Sequence, residues 1–243
     1  MYCNTKRRKI KIIFFLKKWY HLERESLMKE NIVTSFVLKI IAVITMTMDH
    51  YSKIADGPEW FSLVGRVSFP LFAFLIGEGF RYTKDRKKYF YRIFLYALVL
   101  QIPDLLSIEK YDGNIFFTLS FGILSLLILN NTKLNKFIKI ILVIIIVVSA
   151  EMLTLDYGSY GVMIIIIFYL FRENNIMTAF SFTAVNILWI SFFQMSATQL
   201  YSIFVLPLIF LYNGKEGKKM KLFFYLYYPL HLIVLYLLAE LKF

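Results

Sequence analysis

The chain has 243 residues, 59% of them hydrophobic and 19% aromatic, with a mean hydropathy of +0.63. Soluble domains are roughly half apolar, so this composition indicates a membrane protein and excludes an ordinary soluble enzyme. The net charge of +12 does not indicate nucleic-acid binding, because Lys and Arg form short clusters between long apolar runs. The single cysteine, Cys3, excludes an internal disulfide and a cysteine-based metal site, and we expect no metal.

Residues 1–31 form a basic arm whose one apolar stretch, 12–16, is too short to cross a bilayer. The arm lacks the small-residue cleavage site of a secretory signal peptide. We therefore expect a cytoplasmic arm that forms an amphipathic helix on the anionic membrane surface. The sequence leaves open a second interpretation, in which synthesis starts at Met28, just before the first span.

The rest of the chain, 32–243, predicts a single all-α domain, a polytopic transmembrane helix bundle. A spanning helix needs about 20 mostly apolar residues, and this measure gives about nine candidates, of which the sixth is short. The predicted spans are 32–55, 61–80, 88–106, 115–130, 136–152, 158–171, 176–194, 197–212 and 221–240.

The loops between these spans alternate in charge. Loops after even-numbered spans are basic, whereas loops after odd-numbered spans are acidic or nearly neutral. Basic loops remain on the cytoplasmic side, so the pattern predicts the N-terminus inside and the C-terminus outside. The basic loop residues are Arg81, Lys84, Arg86, Lys87 and Lys88, then Lys133, Lys136 and Lys139, then Arg172, then Lys215, Lys218, Lys219 and Lys221.

Lys39, Asp49 and His50 lie inside the first span, and each costs about 2.5 to 3.5 kcal/mol at membrane depth if it is charged. Helical spacing places Lys39, Val43, Met46 and His50 on one face. Asp49 points about 100 degrees away from His50, so either residue can face the interior while the other serves a neighbouring helix. Arg66 reaches a similar depth in the second span and is the expected charge partner of Asp49.

Two interpretations of this cluster remain open at this stage. In one, Asp49 and His50 belong to a functional site near the outer end of the first span. In the other, Asp49 and Arg66 form a structural ion pair, and His50 is merely hydrogen-bonded.

The ninth span carries His231, one turn after Tyr227 and Tyr228. Pro229 removes a backbone donor and bends the helix, which exposes polar backbone groups to a cavity. We consider two roles for His231, a functional one and that of a packed histidine satisfied by a tyrosine or a carbonyl group.

Polar strings in a fixed order mark the chain from about residue 36 onward, and together they resemble the TraX family. They are LKIIA at 38–42, MDH at 48–50, GRVSFPLFAF at 65–74, EGF at 78–80, DYG at 156–158, YNG at 212–214 and YPLHL at 228–232. That family is named for the conjugative F-pilin acetyltransferase, which acetylates the N-terminal amine of pilin, and it is similar to other multi-pass membrane acyltransferases. The resemblance implies transfer of an acyl group from acetyl-CoA or another acyl-CoA, at a bacterial inner membrane.

Residue roles within this expected activity rest on the physical reading of the chain. His50 is the expected general base, Arg66 stabilises the developing oxyanion, and Asp49 sets the charge or tautomer of the cluster. His231 is the second candidate base, or the carrier of a transient acyl group.

The two substrates are expected to approach from opposite sides. The phosphates of acyl-CoA are predicted to bind on the inner side to Arg81, Arg86, Arg92 and Lys215. The alternative is that these residues only set the orientation of the chain in the membrane, as basic loop residues commonly do. Asp104, Asn114, Asp156 and Tyr157 are predicted to contact the acceptor, an unknown peptide, glycan or small molecule, on the outer side. The lipid bilayer is the remaining expected partner.

Two other classes of function fit the same residues. A proton-coupled transporter or flippase would use Asp49, His50, Glu78 and His231 as a proton relay or substrate path. The absence of detectable repeated halves disfavours the usual inverted-repeat transporter. The third class is a membrane assembly factor without enzymatic activity.

Overall fold

A computed structural model describes residues 33–106, 113–193 and 195–241, without the side chains of 103–106. The predicted basic arm, 1–31, lies outside these ranges. Within them the chain forms ten α-helices and one 3₁₀ helix, which confirms the predicted all-α class. The helices are α1 Ser35–Ile54, α2 Glu59–Gly65, α3 Ser68–Tyr82, α4 Arg86–Leu106, α5 Ile115–Leu129, α6 Lys136–Met152, α7 Gly158–Leu170, α8 Asn175–Phe192, the 3₁₀ helix Ala197–Phe204, α9 Val205–Phe210 and α10 Lys221–Glu240.

Each of the nine predicted spans coincides with one helix or, for the second and eighth, with two consecutive helices. Within the described ranges, three stretches are long and apolar enough to cross a bilayer, namely Glu59–Tyr82, Asn175–Phe192 and Lys221–Glu240. Three further apolar helices are shorter: Ile115–Leu129, Gly158–Leu170 and Ala197–Phe210. The chain therefore has the helices of a membrane protein, while the count of nine spans and their orientation remain predictions.

Helix α7 lies at the centre of the bundle. It is apolar on all sides, as expected of a helix without a solvent face, and nearly all of its residues are buried. It packs against α3, α5, α6 and α8. Helix α10 lies at the edge, packs against α1, and exposes most of its large apolar side chains.

Two short backbone pairings tie distant loops together near the ends of the bundle. Val33 pairs with Tyr212, so the segment before α1 lies beside the segment after α9. Gly113 pairs with Leu155, and the amide of Asp156 donates to the Gly113 carbonyl at 2.7 Å. The second pairing fixes the loop between α6 and α7, which carries Asp156 and Tyr157.

Candidate functional site

A cavity of about 890 Å³ runs along α1 between α3, α4, α5 and α10. Its basic end is lined by Lys84, Lys219 and Lys221, and its histidine end by Asp49, His50, Asp156 and Tyr157. Ser35 and His50 both line it, and a rise of 1.5 Å per residue separates them by about 22 Å along the helix. The cavity therefore joins a lysine-lined end to the polar groups around His50.

The predicted shared face of the first span is confirmed. The four residues that helical spacing placed on one face, Lys39, Val43, Met46 and His50, all line this cavity. Asp49, one residue before His50, also lines it at the histidine end, where α2 turns back against α1.

The two histidines of the membrane domain contact each other directly. His50 Nδ1 lies 2.7 Å from His231 Nε2, and the imidazole planes are 12° from parallel. His231 Nδ1 lies 2.9 Å from the Tyr227 carbonyl oxygen. Sequence reasoning treated the two histidines as competing candidates, whereas the fold brings them together as one pair.

The hydrogen bonds define the tautomers of this pair when both rings are neutral. A carbonyl oxygen can only accept, so His231 Nδ1 donates to Tyr227 and His231 Nε2 is left as an acceptor. His50 Nδ1 must then donate to His231 Nε2. Nε2 of His50 consequently keeps its lone pair and can take a proton from a substrate.

Helix α10 is held in place by polar contacts around its proline. Pro229 supplies no amide to the carbonyl of Tyr225, four residues earlier, and the Tyr96 hydroxyl of α4 donates to that carbonyl instead. The Tyr227 hydroxyl is hydrogen-bonded to Thr47 Oγ1 of α1 at 2.7 Å. These contacts position His231 opposite His50.

Asp49 is buried, but its partners differ from the predicted one. Its carboxylate accepts from Lys53 Nζ at 2.5 Å and from Ser62 Oγ at 3.0 Å. Arg66 contacts the same Ser62 hydroxyl at 3.4 Å, so it is linked to Asp49 through a serine instead of forming the expected ion pair. Lys53 is the closer partner because it follows Asp49 by four residues on the same helix face.

A second cavity, of about 270 Å³, lies on the other side of His50. It is lined by Lys53, Arg66 and Gln199 among others, and it shares Asp49, His50, Asp156 and Tyr157 with the large cavity. Arg66 Nε is buried and has no hydrogen-bond partner among the described residues. The two cavities therefore meet at His50, beside an arginine with an unused donor.

The loop residues Asp156 and Tyr157 close this junction. Tyr157 adopts φ +60°, which is unfavourable for a bulky side chain, and its ring stacks on Phe69 at 4.0 Å between centroids. Asp156 is exposed and lines both cavities, yet the surrounding protein desolvates it and raises the pKa of its carboxyl to about 6, against the opposing effect of Lys53.

The two other predicted acceptor contacts are Asn114 and Asp104. Asn114 caps the start of α5 by accepting from the Phe116 amide at 3.1 Å, and its amide group donates to Ala97 and Gln101. We leave Asn114 out of the site, because the fold uses its side chain fully. Asp104 lies in α4, and its side chain is outside the described residues.

Of the four cations predicted to bind acyl-CoA, Arg92 lines the cavity, whereas Arg81, Arg86 and Lys215 do not. Arg81 donates to Glu173 and to the Tyr169 carbonyl, and Arg86 lies over the Phe80 ring. Lys219, which sequence reasoning also placed among the basic residues facing acyl-CoA on the inner side, lines the cavity as well. The remaining cavity cations, Lys39, Lys84 and Lys221, were not assigned to this role from the sequence. A signal for Lys39 was present, since helical spacing already placed it on the His50 face.

No group of three or more His, Cys, Asp or Glu side chains that could hold a metal ion occurs in the described ranges.

Comparison with known proteins adds a relationship that covers most of the chain. The model of a family described as TraX protein matches residues 35–239, a range that includes both histidines and all the cavity cations. The chain is 28% identical over 239 residues to the Probable fimbrial assembly protein FimC, serogroup H1, of Dichelobacter nodosus, which covers 86% of this chain and 97% of that protein. It is 32% identical over 84 residues to Protein TraX of Escherichia coli, an alignment that covers 33% of this chain and 34% of that protein. No solved structure matches the chain significantly.

Proposed function

The chain belongs to the TraX protein family, and we propose that it is a membrane-embedded acyltransferase that moves an acyl group, in the simplest case acetyl, from acyl-CoA to an amine or hydroxyl acceptor. The observation that carries the proposal is the large cavity, which connects a basic mouth with the His50–His231 pair. Basic side chains suit the phosphates of CoA, and a part-buried histidine whose Nε2 is left free by its hydrogen bond to His231 suits proton transfer.

The donor enters the large cavity from its basic end, and the acceptor enters the small cavity on the other side of His50. With the predicted orientation, the donor comes from the cytoplasm and the acceptor from outside. The acyl carbon is then attacked at the junction of the two cavities, where His50, Asp156 and Tyr157 line both.

The reaction requires one proton to move twice. As the acceptor nitrogen or oxygen bonds to the acyl carbon, its proton passes to His50 Nε2 and the carbon–sulfur bond breaks. The same proton then passes from His50 to the departing thiolate, which leaves as CoA thiol. Arg66, whose side chain lines the small cavity, stabilises the negative charge on the carbonyl oxygen.

His231 acts through His50 in this scheme. Its hydrogen bond to the Tyr227 carbonyl selects the tautomer of His50 whose Nε2 is free, and it spreads the positive charge when His50 is protonated. Asp49, held by Lys53 and Ser62, fixes the end of α1 on which His50 lies.

The acceptor is proposed to be a component of the cell envelope. One relative is described as a probable fimbrial assembly protein, which supports a surface-fibre subunit as the first acceptor to examine. Glycans and small molecules of the envelope are the other candidate acceptors, and the experiment below detects their acylation as well.

Mass spectrometry of cell-envelope molecules from cells with and without the protein tests this function. We expect an added acyl group that depends on the protein and that falls by about 10²- to 10⁴-fold in His50→Ala. His21→Ala, which changes the histidine outside the matched range 35–239, is the control and should retain the modification. Full modification by His50→Ala would eliminate this mechanism, and CoA-independent uptake of a solute into vesicles would favour the transporter.

A further inference from the structure

Lys39 is a cationic residue inside an apolar helix. It lies between Leu38 and Ile40 in the first third of α1, and its side chain lines the large cavity. A lysine at such a position is costly unless it is paired with an opposite charge or used by a ligand. Its position therefore requires an explanation beyond topology.

The described residues supply no ion-pair partner for this ammonium group. Its Nζ lies over the face of the Phe224 ring, 5.6 Å from the centroid. The carboxylate of Glu216, which also lines the cavity, attracts Lys39 electrostatically, but it is beyond ion-pair distance and is paired with Lys219 at 3.5 Å. Lys39 is consequently a cation available to an anion that enters the cavity.

The distance from Lys39 to His50 matches one part of acyl-CoA. Eleven residues of helix separate the two positions by about 16 Å. The pantetheine arm has about thirteen bonds between its phosphorus atom and its sulfur, and at about 1.2 Å of advance per bond it spans about 16 Å when extended. A phosphate at Lys39 would thus place the thioester beside His50.

We propose that Lys39 binds the phosphate at the base of the pantetheine arm and sets the depth to which the acyl donor enters. This inference rests on the proposed acyltransferase function and names the residue that selects a phosphorylated donor. The cations at the mouth, Lys84, Lys219 and Lys221, remain for the outer phosphates of CoA.

Binding of three probes to the purified protein in lipid nanodiscs tests the proposal without knowledge of the acceptor. The probes are CoA, 4′-phosphopantetheine and pantetheine, and the variants are Lys39→Met and Lys39→Arg. We expect Lys39→Met to raise the Kd of both phosphorylated probes by about 10- to 100-fold, because a hydrogen bond to a charged group is lost. The Kd of pantetheine should not change, and Lys39→Arg should restore binding of the phosphorylated probes.

Lys133→Met is the matched control, since Lys133 is exposed and does not line the cavity. Equal losses for all three probes would overturn the proposal, because they would indicate a structural role for Lys39. An effect that appears in anionic nanodiscs and disappears in phosphatidylcholine nanodiscs would also overturn it, by assigning Lys39 to a lipid phosphate. Failure of the unaltered protein to bind CoA would instead contradict the proposed function itself.

Discussion

At the scale of single residues, spacing along the sequence predicted which side chains share a face of one helix. The contacts between side chains of different helices depend on the fold and could not be predicted in this way. The Lys39–His50 face followed from helical periodicity and is confirmed. The contact between His50 and His231 joins residues 181 positions apart, so no local pattern could predict it. Arg66 was predicted to be the charge partner of Asp49, although Lys53, four residues later on the same helix, is better placed to pair with it.

The histidine pair leads to a prediction that tests whether His231 positions His50 for catalysis or only packs against it. In His231→Leu the Nδ1–H of His50 loses its acceptor, so we expect the rate of acyl transfer from radiolabelled acetyl-CoA in membranes to fall by about 100-fold or more. His231→Gln offers a carbonyl oxygen to the same N–H and should recover part of the rate.

The binding of CoA provides the control for this pair of variants, because neither should change its Kd. If His231 carried the acyl group itself, glutamine and leucine would be equally inactive. That result would contradict the positioning role.

At the scale of helices, the sequence predicted the apolar segments and missed the breaks inside two of them. Pro70 cannot donate to the carbonyl of Arg66, four residues earlier, and the chain changes from α2 to α3 at this point. Pro207 has the same relation to Ile203, where the 3₁₀ helix passes into α9. The first break lies beside Arg66, whose side chain lines the small cavity.

The close approach of α2 to α1 gives the prediction at this scale. A Cβ atom on Gly65 would lie 3.0 Å from the Asp49 Cα, whereas one on Gly77 would lie 3.7 Å from the Tyr169 Cβ. We expect Gly65→Ala to lower the free energy of unfolding by about 1–3 kcal/mol, because the backbones must separate. It should also reduce acyl transfer by displacing Asp49.

Gly77→Ala is the matched control in a similar helical setting, where the added methyl group meets only ordinary contacts. Thermal unfolding in detergent compares the two variants. Equal unfolding temperatures for both would show that the predicted crowding at Asp49 does not exist.

At the scale of the whole molecule, the arrangement of charge and cavity supports a two-sided reaction. The basic mouth of the large cavity is formed by loops that the charge pattern assigns to the cytoplasm, and the small cavity lies beyond His50. Hydropathy could predict the helices and their expected orientation. It could not predict the cavity, because the space between α1 and α10 depends on how the edge helix packs.

The central claim is that the acyl donor reaches His50 from the cytoplasmic side, and sealed membrane vesicles of known orientation test it most directly. Radiolabelled acetyl-CoA is added outside inside-out and right-side-out vesicles that contain the protein and its native envelope components. We predict label transfer in the inside-out vesicles, none in the right-side-out vesicles, and loss of transfer in His50→Ala. Transfer only in the right-side-out vesicles, or equal transfer with His50→Ala, would contradict the account.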